Sequence, residues 1–251
     1  MSGHSHWATI RRKKGAADAK RGQVFTRIAR EIVMAARTGG GDPNANFRLS
    51  LAVEKARASN MPKDSIERAI KRGAGEDKDA SAFEEFTLEG YGPHGSALMV
   101  ECVTDNRNRT VADMRHAFSK NGGNMAEAGA VGWQFERKCY FSVPASQLPY
   151  DAAFELAIDA GADDVQEDGD NIEITGPVDA FKTVSDALRN KKVTPDDAGL
   201  RLIAKQDMEL GVAETLQVLR VVEAIEEMDD VQNVYHNLKI SEEALAELEA
   251  E

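Results

Sequence analysis

The segment Gly211–Ile240, GVAETLQVLRVVEAIEEMDDVQNVYHNLKI, decides the fold. It reads as one helix, GVAETLQVLRVVEAIEEM, followed by one strand, DVQNVYHNLKI. Both come after a unit that is already complete, so they have no sheet of their own. They fit an earlier stretch, residues 83–136, which reads β-β-α-β and has room for one more helix and strand. If they return to it, the unit between is an insertion. The ends of a domain often lie close together, so such an insertion is tolerated.

That intervening unit begins at Cys139. CYFSV reads as a strand, DAAFELAIDAG as a helix, DDVQE and NIEITG as strands, PVDAFKTVSDALRNK as a helix and LRLIAK as a strand. The order β-α-β-β-α-β is the ferredoxin-like split arrangement. In the earlier stretch, FTLEGY and SALMVECV read as strands around the turn Gly92-Pro93-His94-Gly95. TVADMRHAFSKNGG reads as a helix, with Thr110 and Asp113 as its start signal, and AVGWQFE (Ala130–Glu136) as a strand.

Upstream the period becomes helical. QVFTRIAREIVMAAR repeats apolar residues at i+4, Val24, Ile28 and Ile32 beside Phe25, Ala29 and Val33. Gly39–Gly41 end it. A second helix covers about Ala45–Ser59 until Asn60-Met61-Pro62 breaks it. In the third, Asp64 and Glu67 resemble a capping box and Ile66, Ala69 and Ile70 supply the apolar face. The fold expected is α+β: an N-terminal three-helix bundle followed by two ferredoxin-like α/β domains, one inserted in the other. The expected limits are 1–80 for the basic arm and bundle, 81–137 with 206–240 for the middle domain, 138–205 for the inserted domain, and 241–251 for an acidic tail.

Charge divides along the same lines. The 251 residues carry 31 Lys and Arg against 43 Asp and Glu, a net charge of −12. Residues 1–75 hold 16 basic and 6 acidic residues, a surplus of +10, and the remainder holds 15 against 37, or −22. Such asymmetry points to a nucleic-acid-facing part joined to a solvating part. No apolar run approaches the roughly 20 residues that span a bilayer, and MSGHSHWATIRRKKG has no apolar core of a secretory signal. No membrane association is expected, and the expected location is cytoplasmic. Cys102 and Cys139 form no metal spacing and read as reduced core residues.

Three constellations carry chemistry. The arm and first helix supply Arg11, Arg12, Lys13, Lys14, Lys20, Arg21, Arg27 and Arg30, which suit phosphate backbones by counterion release. Trp7 suits stacking on an exposed base. The plainer reading is a solvated face with Trp7 tucked into the bundle. The run Asp105–Thr110 sits where a strand enters a helix, and Arg107 and Arg109 beside free backbone N–H groups suit an anion. The plainer reading is a capped turn, with Asn106 and Thr110 satisfying backbone donors and the arginines in salt bridges. His4-Ser5-His6 offers two imidazoles without a third ligand, so no metal is expected. There is no GxSxG, Walker A, HExxH or Rossmann glycine motif. The pairs Asp163-Asp164, Asp196-Asp197 and Asp229-Asp230 read as solvated turns. Neither an enzyme nor a cofactor is expected.

Several stretches together resemble one family: GHSHWA, RRKKGAADAKRGQVFTRIAREI, AARTGGGDPNANFRL, NMPKDSIERAIKRGAG, EGYGPHG, VECVTDNRNRTVADMRHAFSKNGGN and DDVQNVYHN. This is similar to the YebC family, bacterial proteins named as transcriptional regulators whose mitochondrial relatives are translational activators. The resemblance covers nearly the whole chain. It implies three domains with the last inserted in the middle one, a cytoplasmic location and no catalytic residues. It implies nucleic-acid contact through His4, Ser5 and Trp7, through Arg11–Lys14, Lys20 and Arg21, and through Asn106, Arg107 and Arg109. Two departures are His6, where the family commonly has Lys, and His94, where it often has Gly. The function expected is a non-catalytic, DNA-binding transcriptional regulator acting as a monomer. The alternative is a ribosome-associated factor that binds rRNA and relieves stalling on proline-rich stretches.

Overall fold

The computed structural model of the chain describes residues 17–76 and 83–250. Its first part is a bundle of α1 (Ala17–Gly39), α2 (Phe47–Ala58) and α3 (Lys63–Gly73). Ile28, Ile32 and Val33 of α1 meet Leu49 and Val53 of α2 and Ile66 of α3 in a dry core. Each large aliphatic side chain buried in this way contributes about 1.5–3 kcal/mol. Asn46 fixes the α1–α2 corner. Its Oδ1 accepts from the Leu49 N–H at 3.1 Å, and its Nδ2 donates to the Ala35 and Gly40 carbonyls at 2.8 Å each. Gly73 lets α3 approach α1 closely, since a Cβ there would lie 2.4 Å from the Val33 carbonyl oxygen. The expected Asp64–Glu67 box does not form. Pro62 holds the cap position without a side-chain bond, and Asp64 lies within the first turn, where its charge favours the helix dipole.

Two four-stranded sheets follow. The first contains β1 (Glu84–Tyr91), β2 (Ala97–Thr104), β3 (Asn124–Ala126) and, after the insertion, β9 (Val231–His236). Its order is β3-β1-β2-β9, all neighbours antiparallel. β1 therefore lies between the mutually parallel β2 and β3, which are joined by α4 (Arg107–Lys120). The helix before β9, α7 (Val212–Glu226), packs Val218, Leu219, Val222 and Ile225 against Leu98, Val100 and Cys102, together with Met114 and Phe118 of α4. Phe118 needs Gly90 beneath it, because a Cβ there would meet its ring at 2.5 Å. β2 is buried on both faces, since Ala97 and Met99 pack with Val131 and Phe135 in a separate cluster.

The second sheet contains β4 (Phe135–Pro144), β5 (Asp164–Asp168), β6 (Asn171–Gly176) and β7 (Asp197–Ala204). Its order, β5-β6-β4-β7, is the split arrangement expected from the sequence. Helices α5 (Tyr150–Asp159) and α6 (Ala180–Asn190) cover one face, where Phe181 of α6 packs with Phe141, Ile172 and Ile174 of the sheet. A short parallel pair, β8 (Met208–Glu209) with β10 (Leu238–Lys239), ties the exit of the insertion to the end of the first sheet. The last helix, α8 (Glu242–Ala250), buries Ala244 and Leu245 against the first core.

The return of the late helix and strand thus occurs as expected, but the edge strand of the first sheet differs. AVGWQFE is not its third strand. Residues 135–136 begin β4, which runs unbroken through CYFSV and belongs to the second sheet. The third strand is the three-residue β3. Upstream of β4 the chain loops because Glu89 binds it: its carboxylate accepts the N–H groups of Gly129, Val131 and Gly132, each at 2.7 Å. The Gly92–Gly95 turn places His94 at φ 60°, in the left-handed region where glycine costs least. That is the position where the resembling family often has Gly, and here the imidazole Nε2 lies 2.9 Å from the Gln217 amide oxygen.

Candidate nucleic-acid interface

The described basic residues at issue fall into three groups, Arg27 with Arg30, Arg107 with Arg109, and a set on α3. His4, Ser5, Trp7, Arg11, Arg12, Lys13 and Lys14 lie outside the described residues. Lys20 and Arg21 lie in α1, whose described side chains begin at residue 22.

Arg27 and Arg30 sit further along α1, expected on a phosphate-facing surface. The fold turns them toward the middle domain instead. Arg27 donates to the Glu226 carbonyl at the end of α7, and Arg30 donates to the Asp229 carbonyl. Arg30 also pairs with Asp230 at 3.1 Å, where its side chain is 14% exposed. Both arginines therefore hold the bundle onto the α7–β9 corner.

Asp230 is the centre of this junction, and it is 8% exposed. Its Oδ2 accepts the Thr110 hydroxyl at 2.7 Å, the Thr104 hydroxyl at 3.1 Å and Arg109 Nη2 at 3.1 Å. Burial pushes the Asp230 carboxyl up, but the bonds from Thr110, Arg109 and Thr104 and the charge of Arg30 outweigh it and hold it below its usual value. One carboxylate thus joins α1, β2, α4 and the start of β9. The expectation that Asp229-Asp230 solvates a turn holds for the exposed Asp229 and fails for Asp230. The sequence signal that the run is structural is faint, an acid just before an apolar strand.

The Asp105–Thr110 turn takes its plainer reading. Asn106 caps α4, its Oδ1 accepting from the Arg109 N–H at 3.1 Å. Thr110 lies inside the helix and is fully buried, so the start signal is Asn106 and not Thr110 with Asp113. Arg109 bridges Asp105 and Asp230, each at 3.1 Å. Arg107 pairs with Glu84 and covers the Phe86 ring at 4.4 Å. Both guanidinium groups keep about half of their side-chain surface in solvent.

Sequence reading missed a third group. Arg68, Lys71 and Arg72 recur at i, i+3 and i+4 on α3, a spacing that places them on one helix face. They rim a groove of ≈ 800 Å³ between α1 and α3, floored by Phe25, Ala29, Val33, Met61, Ala69 and Phe83. Arg68 and Lys71 are exposed. Arg72 lies over the Phe83 ring at 4.4 Å, with Arg30 at 5.6 Å. Phe83 is held in turn by Arg37, which donates to its carbonyl at 2.6 Å. Among the described residues, Glu76 is the one acidic side chain lining the groove.

Among the described residues, no group of three or more His, Cys, Asp or Glu is placed to hold a metal, and no helix is long and apolar enough to cross a membrane. The cysteines are buried. Burial, with the charges of Asp230 and Glu101, pushes the Cys102 thiol up to about 12, and burial, with Asp163, pushes Cys139 up to about 11.

Comparison with known proteins gives consistent relatives. Residues 5–76 match the TACO1/YebC protein N-terminal domain, and residues 83–238 match the TACO1/YebC second and third domain. A "Probable transcriptional regulatory protein" of Geotalea uraniireducens is 48% identical over 98% of each chain. One of Borrelia turicatae is 47% identical over 97% of this chain and 99% of its own. Among solved structures, a conserved hypothetical protein from Aquifex aeolicus superposes with a TM-score of 0.86 at 41% identity, covering 94% of this chain and 98% of that one.

Proposed function

Since the chain belongs to the TACO1/YebC family, we propose that it is a non-catalytic, nucleic-acid-binding regulator of gene expression whose basic N-terminal part, residues 1–80, makes the contacts. The observation that carries this reading is the charge division: +10 over residues 1–75 against −22 over the rest. An acidic body repels a phosphate backbone, so the main contacts fall to the arm and the α3 rim, with the half-exposed Arg107 and Arg109 of the middle domain as a secondary point of contact. The names of the relatives, probable transcriptional regulatory proteins, support a role in transcriptional control, for which we propose DNA as the target.

A second reading is a ribosome-associated translation factor that binds rRNA. One observation favours it. The basic face of α3, KDSIERAIKRG, gathers Arg68, Lys71 and Arg72 toward the helix's C-terminal end, cations that suit phosphates of any sequence. A folded RNA with a large phosphate surface suits such a face.

The test is binding of the full chain to duplex DNA and to rRNA across a salt series, together with its sedimentation among ribosomal fractions. A DNA regulator prefers one duplex over random competitors at physiological salt. A ribosome factor co-sediments and binds DNA without sequence preference. Replacing Arg11, Arg12, Lys13 and Lys14 by Ala should flatten the log-affinity against log-salt slope by about 0.7–0.9 for each phosphate the arm no longer neutralises. An unchanged slope would remove the arm from the interface.

A further inference from the structure

We propose that the groove between α1 and α3 seats an unpaired nucleotide, so that the protein favours single-stranded or looped nucleic acid over a duplex. This rests on the nucleic-acid reading above and names the form of ligand. The groove joins two chemistries. Its rim is cationic, with Arg68 and Lys71 exposed and Arg72 behind them. Its floor is apolar and partly aromatic, with Phe25 and Phe83 half-buried and Met61 between helices. A duplex presents phosphates outward and keeps its bases stacked inside, so it engages such a rim and leaves the floor in water. An unpaired nucleotide engages both, its phosphate at the rim and its ring on the floor. The volume of ≈ 800 Å³ lies within the usual range of small-molecule sites, roughly 300–1,000 Å³. Among the described lining residues Glu76 alone is acidic, which matches an anionic occupant. The source is a loop of RNA or a melted segment of DNA, which share this chemistry.

The experiment measures fluorescence anisotropy of the full chain with four labelled 12-mers of one sequence: single-stranded RNA, single-stranded DNA, and the duplex of each, at matched salt. The expected result is tighter binding of one or both single strands than of its duplex, by roughly 5- to 150-fold, the range of one well-stacked base. The tighter single-stranded arm names the source. Phe25→Leu keeps an apolar floor for the bundle and removes the ring, and it should cut the single-strand preference while leaving duplex affinity unchanged. Phe83→Leu, read against Arg72→Ala because that guanidinium lies over the ring, provides the comparison should Phe25→Leu melt early in circular dichroism. Arg68→Ala with Lys71→Ala should weaken all four arms alike. Equal affinity for single strands and duplexes would overturn the proposal and leave the proposed function standing. So would a preference that survives both ring removals, or tight capture of an acidic amphipathic peptide without strand preference. No binding of any arm at low salt would overturn the proposed function itself, and this proposal with it.

Discussion

Asp230→Asn tests the junction between the bundle and the middle domain. The carboxylate receives two hydroxyls, one guanidinium on Oδ2 and the Arg30 guanidinium on Oδ1, all between 2.7 and 3.1 Å. Its side chain is 11% exposed and that of Arg30 14%. Removing one partner of a largely buried ion pair costs about 3–5 kcal/mol. The amide keeps one acceptor oxygen, which places the expected loss near the lower end, about 3 kcal/mol. The assay is urea unfolding by circular dichroism, with amide hydrogen exchange read separately for α1 and for β2. Exchange in α1 should accelerate most, because Arg30 loses its ion pair there. The pH dependence has a definite sign. The folded pKa lies below the unfolded value, so the stabilisation is fully present above about pH 4 and is lost as pH falls through the folded value. The difference between wild type and variant should therefore vanish in acid. A variant within about 0.5 kcal/mol of wild type at pH 7, the range of an ordinary surface change, would refute the assignment of Asp230 as the junction.

Two other perturbations test local features. Glu89→Ala leaves three backbone N–H groups of the 129–132 loop without their acceptor, so exchange there should accelerate and the emission of Trp133, which is 68% exposed, should shift. Burial raises the Glu89 carboxyl, but its bonds from Gly129, Val131 and Gly132 lower it further, so the wild-type loop should loosen in the same way as pH falls below about 4. An unaltered exchange rate in the variant would show that the loop is held by something else. Cys102 and Cys139, with thiols pushed up to about 12 and about 11, should resist iodoacetamide at about pH 8 in the folded protein and react in urea. Rapid alkylation of the native chain would contradict their burial.

The large pairing was legible because a lone strand is untenable. Val231–His236 follows a completed split unit, and its unpaired backbone groups require a neighbour, which β2 supplies. The edge of that sheet was not legible. AVGWQFE alternates like a strand, yet Glu89, forty residues away, captures the backbone donors that a strand would use. The same limit applies to the candidate site. The basic face of α3 was available from spacing alone. The inward turn of Arg27 and Arg30 was not, because it depends on carbonyl groups at Glu226 and Asp229 that only the closed fold brings near. An arginine on an amphipathic helix looks alike in sequence whether its partner is a phosphate or a carbonyl.

The position of β9 also sets a clock on synthesis. β2 has left the ribosome with its hairpin partner β1 long before β9 appears, and the register joins Cys102 to Val231. At about 5–20 residues per second the free side of β2 waits on the order of 10 s. The inserted unit owns all four of its strands and both of its helices, so it can close during that interval while its parent stands open. The parent's last strand must then find an edge that has been bare throughout. The nascent chain is thus most vulnerable to aberrant pairing along Ala97–Thr104, one of the most buried strands of the finished molecule.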